Sequence, residues 1–128
     1  MAGISPRRAA WLLGAGRAAL GAAVLAAPRK VTSRWLGGDN AALPVVGDLA
    51  ISLGARDIAL GLAVLTTLDD PRVGPLVQAA CAAVDAADVA GTVVARSDLP
   101  TAGFAGTVLI AGAASAAGFY IAHRLAHD

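Results

Sequence analysis

Two stretches decide the fold: "LGAGRAALGAAVL", residues 13–25, and "LGARDIALGLAVL", residues 53–65. They agree at nine of thirteen positions at a constant offset of forty residues, more than an alanine-rich composition supplies by chance. Each is apolar enough for a membrane helix, yet each carries a charge near its middle, Arg17 in the first and Asp57 at the same place in the second. A recurrence at fixed offset marks an internal repeat, here one helix and its following connection. Gly14, Arg17 and Gly21 are spaced i, i+3, i+7 and share one helical face, as do Gly54, Asp57 and Gly61. Small residues around a charge let a second helix approach it closely. These four glycines are therefore expected to be helix-packing positions that bring Arg17 to a counter-charge.

The rest of the chain extends the same pattern. Of its 128 residues, 57% are hydrophobic and 15% charged, whereas soluble domains have about 45–50% and about 25%. Four apolar segments, about 9–27, 45–68, 74–95 and 101–122, reach the roughly 20 residues that a hydrocarbon core of about 30 Å demands. The expectation is an all-α chain, a transmembrane bundle of four helices in a single domain over residues 1–128. An alanine-rich soluble bundle would need charged outer faces, which 12–24 and 104–122 lack. Arg7 and Arg8 before the first apolar run resemble a secretory signal. That run exceeds the usual 7–15 residues and contains Arg17, so an uncleaved first span is expected. The single cysteine, Cys81, excludes an intramolecular disulfide and sits between alanines as a small packing residue.

The punctuation between segments is strong. Pro28 closes the first, Pro44 suits the opening turn of the second, and "LDDPRVGP" and "RSDLP" form tight turns. The longer connection "PRKVTSRWLGGDNAALP" holds Arg29, Lys30, Arg34 and Trp35. It is read first as an ordinary interfacial loop, with a short amphipathic segment at headgroup level as the alternative. Trp11, Phe104 and Tyr120 near span ends suit an aromatic belt, and the absence of aromatic residues at mid-span argues against a large flat cofactor; no cofactor is expected. Basic residues outside the spans divide equally between the two sides, Arg7, Arg8, Arg72 and Arg124 against Arg29, Lys30, Arg34 and Arg96. The free amino group, His123 and His127 tip the expectation toward termini inside.

Five charges, Arg17, Arg56, Asp57, Asp85 and Asp88, fall within roughly 5 Å of the middle of their spans at about 1.5 Å per residue. Insertion costs about 2.5–3.5 kcal/mol for each, while a leucine or valine returns about 0.3–0.6. The five must face one another or water. Asp48, near the start of its helix and on the face opposite Asp57, is favoured by the helix dipole and lies outside this cluster. Two arginines meet three aspartates, and arginine stays charged, so one negative charge is in surplus. Protonation or a bound cation could remove it, with Asp85 and Asp88, i and i+3 in "VDAADVAG", expected side by side and sharing the proton. A structural role, charges specifying which helix packs on which, has equal standing.

Other chemistry is thinly represented. His123 and His127 suit the C-terminus of the last helix better than a metal, no metal site is expected, and Ser115 has no evident base. Phosphate loops, zinc-protease motifs, dinucleotide fingerprints and nucleophile elbows are missing from the sequence. A net charge of +1 does not suggest nucleic-acid binding.

"GAGRAALGAAVLAAPR", "LGARDIALGL" and "DAAD" before "LP" with a small-residue last helix resemble, over nearly the whole chain, a family of small bacterial four-helix integral membrane proteins known only as a domain of unknown function. The "GARD" and "DAAD" segments are the most specific part. The resemblance implies four spans in the bacterial cytoplasmic membrane, with Arg17, Arg56, Asp57, Asp85 and Asp88 as signature positions, and implies no activity. A looser likeness to DoxX-like proteins rests on layout alone. Three functions stand as expectations: first a non-enzymatic membrane module or accessory subunit, partnered by the lipid bilayer and by a second copy or a larger membrane complex. Small-residue pairs Gly112/Ala116 and Ala114/Gly118 suit such contacts. A small proton- or cation-coupled carrier working as an oligomer comes second, and an enzyme acting on lipid last. Reporter fusions within 29–44, 69–72 and 96–100 should report alternating sides of the membrane, and two adjacent connections on one side would overturn the four-span topology.

Overall fold

A computed structural model of the chain describes residues 3–128. Four helices are long and apolar enough to cross a membrane: α1 (Pro6–Ala26), α4 (Pro44–Thr67), α5 (Val73–Val94) and α6 (Thr101–His127). Between the first two lie a nine-residue helix α2 (Pro28–Leu36) and a single turn α3 (Gly38–Ala41). No strand occurs among the described residues, and the protein is an all-α membrane bundle.

The helix ends follow from local chemistry. Pro6, Pro28 and Pro44 each occupy the first helical position, where proline's missing N–H leaves no bond unmade. Ser5 Oγ accepts the Arg8 N–H at 3.3 Å to cap α1. Ala27, held out of the helical region by Pro28, ends it. The carboxylate of Asp70 accepts the N–H groups of Arg72 at 2.8 Å and Val73 at 3.0 Å. Those two bonds hold its pKa below the ordinary value and open α5. Within the spans, the hydroxyls of Ser52, Thr66, Thr67, Thr92 and Thr107 each donate to the carbonyl four residues back, which satisfies them where no water is present.

The connection read first as an interfacial loop is helical over Pro28–Leu36, in keeping with the alternative of a short amphipathic segment. Val31, Thr32, Trp35 and Leu36 of α2 turn toward the bundle while Arg29, Lys30, Ser33 and Arg34 stay exposed. An isolated helix of this length is marginal in water, so packing holds it. Gly103 of α6 is the seat, because a side chain there would run into the Trp35 carbonyl. Gly37, at φ +85°, reverses the chain between α2 and α3, a conformation that suits glycine.

Two antiparallel helix pairs make the bundle. α1 packs most extensively on α4 and α5 on α6, with sparser contact between the pairs. The α1–α4 contact is built on the repeat. A methyl group placed on Gly61 would lie 2.5 Å from the Gly14 carbonyl oxygen and 2.8 Å from the Ala18 nitrogen. One placed on Gly21 would lie 2.5 Å from the Gly54 oxygen and 2.9 Å from the Ile58 nitrogen. The two sets are equivalent under the forty-residue offset, so the repeat is a local two-fold arrangement in which each copy presents the same face to the other. In the second pair, Ser115 donates to the Ala82 carbonyl at 2.9 Å, and a methyl on Gly118 would lie 2.9 Å from the Ala82 methyl. Ala10, Val64, Cys81 and Ile121, one from each spanning helix, form the buried cluster where the pairs meet.

Gly21→Val and Gly61→Val should each lower stability by about 1–3 kcal/mol or more, since backbone rather than a movable side chain opposes the new group. Gly112→Val, a position with open space around it, should be near neutral. Unfolding midpoints in mixed micelles would measure all three, and equal effects at Gly61 and Gly112 would overturn this packing.

Candidate functional site

The five mid-span charges come together, as two linked arrays. Arg17 of α1 sends one guanidinium nitrogen to Asp57 of α4 at 3.2 Å and the other to Asp85 of α5. Arg56 of α4 holds Asp88 of α5 by two hydrogen bonds, from Nη1 to Oδ1 at 3.0 Å and from Nη2 to Oδ2 at 2.8 Å. Its Nη2 also donates to Asp57 at 3.1 Å, which joins the arrays. Asp57 is thus the shared acceptor of both arginines.

Asp85 and Asp88, expected side by side and sharing a proton, are each engaged by an arginine. The i, i+3 spacing places them on neighbouring parts of one face, but each carboxylate is drawn to a different arginine on a different helix. Asp88 is held by a bidentate contact from Arg56, whereas Asp85 accepts from a single nitrogen of Arg17. The counter-charge expected for Arg17 is supplied twice, by Asp57 and by the third-span Asp85.

The glycines explain why the charges reach each other. Gly14 and Gly21 flank Arg17 by one turn on either side, and Gly54 and Gly61 flank Asp57, so the α1 and α4 backbones touch at the level of the ion pair. All four are buried.

Exposure grades across the cluster. The side chains of Arg17, Asp57 and Asp85 are 13%, 14% and 11% exposed, while Arg56 and Asp88 are 32% and 33% exposed at the outer seam between α4 and α5. Small residues border that seam: Ser52, Ala55 and Ala59 on α4, Ala87 and Gly91 on α5. The cluster is therefore enclosed on the α1 side and open laterally on the α4–α5 side.

Other polar groups lie apart. Arg7 pairs with Asp69, clamping the start of α1 to the α4–α5 turn. His127 Nδ1 lies 2.7 Å from the His123 carbonyl and the two rings stack, closing the end of α6. Gln78, two turns before Asp85, is buried with no hydrogen-bond partner for its Oε1. It was not anticipated, although a glutamine deep in an apolar segment was the available signal. Among the described residues, no group of three His, Cys, Asp or Glu is placed to hold a metal ion. Comparisons with protein-family models, curated proteins and solved structures yield no match.

Removing Arg17 leaves three carboxylates around Arg56 alone and should be the most damaging single change, about 3–5 kcal/mol for Arg17→Leu. Asp85→Asn brings the charges into balance, two against two, but weakens the α1–α5 tie and should come next. Asp57→Asn leaves two arginines with two aspartates and should be mildest. Exchanging Arg17→Asp with Asp57→Arg should not restore stability, because a carboxylate at position 17 would face Asp85. Folded yield by gel filtration ranks the four; rescue by the exchange would show that Asp85 does not share Arg17.

Proposed function

We propose that the protein is a non-enzymatic membrane module that docks laterally on a membrane partner, a second copy or a subunit of a larger complex, across the α4–α5 seam. The observation behind this reading is the Arg56–Asp88 pair, one-third exposed at mid-span. A charged pair facing hydrocarbon is expensive, and intramembrane charges characteristically face protein or a watered cavity. The flanking Ser52, Ala55, Ala59, Ala87 and Gly91 leave room for another helix to come within backbone reach. A second free face, Gly112 and Ala116 with Leu109 exposed at 71%, adds small-residue surface on α6, whereas Gly118 is already used against α5. Ser115, whose hydroxyl donates to Ala82, supports no nucleophilic role. Membership of the small four-helix bacterial family, with the cytoplasmic membrane as the site and both termini inside, belongs to the same proposal, carried by the "GARD" and "DAAD" segments.

A carrier is the second reading, favoured by one feature: two arginines face three aspartates, so one negative charge is in surplus next to the lateral opening. It requires proton flux or cation binding in reconstituted protein that Asp85→Asn or Asp88→Asn abolishes while folding persists.

The docking reading is tested with Gly91→Leu, a position exposed and without neighbours within 4 Å, so that the new side chain fits the isolated chain. After gentle extraction from native membranes, the parent should run in a complex of defined stoichiometry and Gly91→Leu as a single chain. A parent that runs alone and folded would overturn the proposal.

A further inference from the structure

α2 is held with its polar side outward. Thr32 is buried, its hydroxyl donates to the Pro28 carbonyl at 2.8 Å, and the Trp35 backbone rests on Gly103. Arg29, Lys30 and Ser33 of α2 and Gly38, Ala41 and Ala42 of the α3 turn line a shallow groove open to the surface. The α3 wall is uncharged and small, with open space around Gly38. Among the described residues, neither Arg29 nor Lys30 nor the neighbouring Arg34 has a carboxylate within salt-bridge distance. Asp39, the nearest acid in sequence, is exposed and does not line the groove.

The position matters as much as the charge. α1 ends at Ala26 and α4 begins at Pro44, so α2 and α3 lie at the boundary of the apolar segments. Phospholipid phosphates occupy that level, and basic residues there attract anionic headgroups. We propose that the open α2–α3 groove binds the phosphate of an anionic phospholipid headgroup, with Arg29 and Lys30 as its cationic contacts. Arg34, on the same exposed side of α2, adds to the local field. Unlike a basic segment adrift in water, this helix is fixed by its apolar side, so its cations are presented without the entropic loss of folding onto a membrane.

The test uses the full chain purified in a neutral detergent, with bound lipid counted by native mass spectrometry after titration with phosphatidylglycerol or phosphatidylcholine. Phosphatidylglycerol should be retained in preference. The double variant Arg29→Gln with Lys30→Gln should lose that preference by roughly ten- to thirtyfold. Arg72→Gln, an exposed cation at the opposite end, should keep it, and Arg29→Lys with Lys30→Arg should keep most of it while confirming that α2 still folds. Equal retention of the two lipids by the parent, or an equal loss in Arg72→Gln, would overturn the site. Millimolar inorganic phosphate is the remaining arm. Failure to displace phosphatidylglycerol supports the lipid, whereas displacement with direct phosphate binding that depends on Arg29 and Lys30 would replace the lipid by the free anion and overturn the proposal.

Discussion

One guanidinium group organises the membrane core. Arg17 stays ionised in a layer that offers it no water, and its fork reaches carboxylates on two different helices, Asp57 on α4 and Asp85 on α5. A lysine could carry the charge but not the planar geometry that serves two directions at once. Much else follows from the need to close that contact. The glycines before and after Arg17 and Asp57 bring two backbones together at the level of the charges. Ala10, Val64, Cys81 and Ile121 then fill the space where the helix pairs meet.

The two pairs differ in what holds them. Within α1–α4 and α5–α6 the contacts are dense and made of glycine, alanine and serine, whereas between the pairs packing is lighter and the ion pairs cross the gap. Lipid tails are as apolar as leucine, so burying apolar surface gives little preference for one pairing of helices over another. Charges supply that preference. Arg17 and Arg56 find all their partners only when α5 stands beside α4 with Asp85 and Asp88 at the right depth.

The spans, the packing faces and the membership of the charge cluster were legible because each leaves a mark at a known spacing: apolar length, glycine at i and i+7 around a charge at i+3, and charge at mid-segment. Arg17 with Asp57 could be read from the repeat alone. The division of Asp85 and Asp88 between two arginines could not, because it depends on which helices α5 touches and how far each guanidinium extends across a gap. α2 was legible only as the alternative to a loop, for a different reason. A helix of nine residues rich in Arg and Lys has little stability of its own, and its support, a bare glycine sixty-seven positions beyond Leu36, is a tertiary feature with no local signature.

The distribution of charge between the helix pairs also has a consequence for biogenesis. Arg17, Arg56 and Asp57 leave the first pair with a net positive charge at mid-depth, and Asp85 and Asp88 leave the second with two negative charges, so neither half is at rest in hydrocarbon by itself. During synthesis α1 and α4 emerge before α5. Until α5 is in place the first hairpin therefore carries one cation with no carboxylate of its own, and both arginines find their full set of partners only in the assembled bundle.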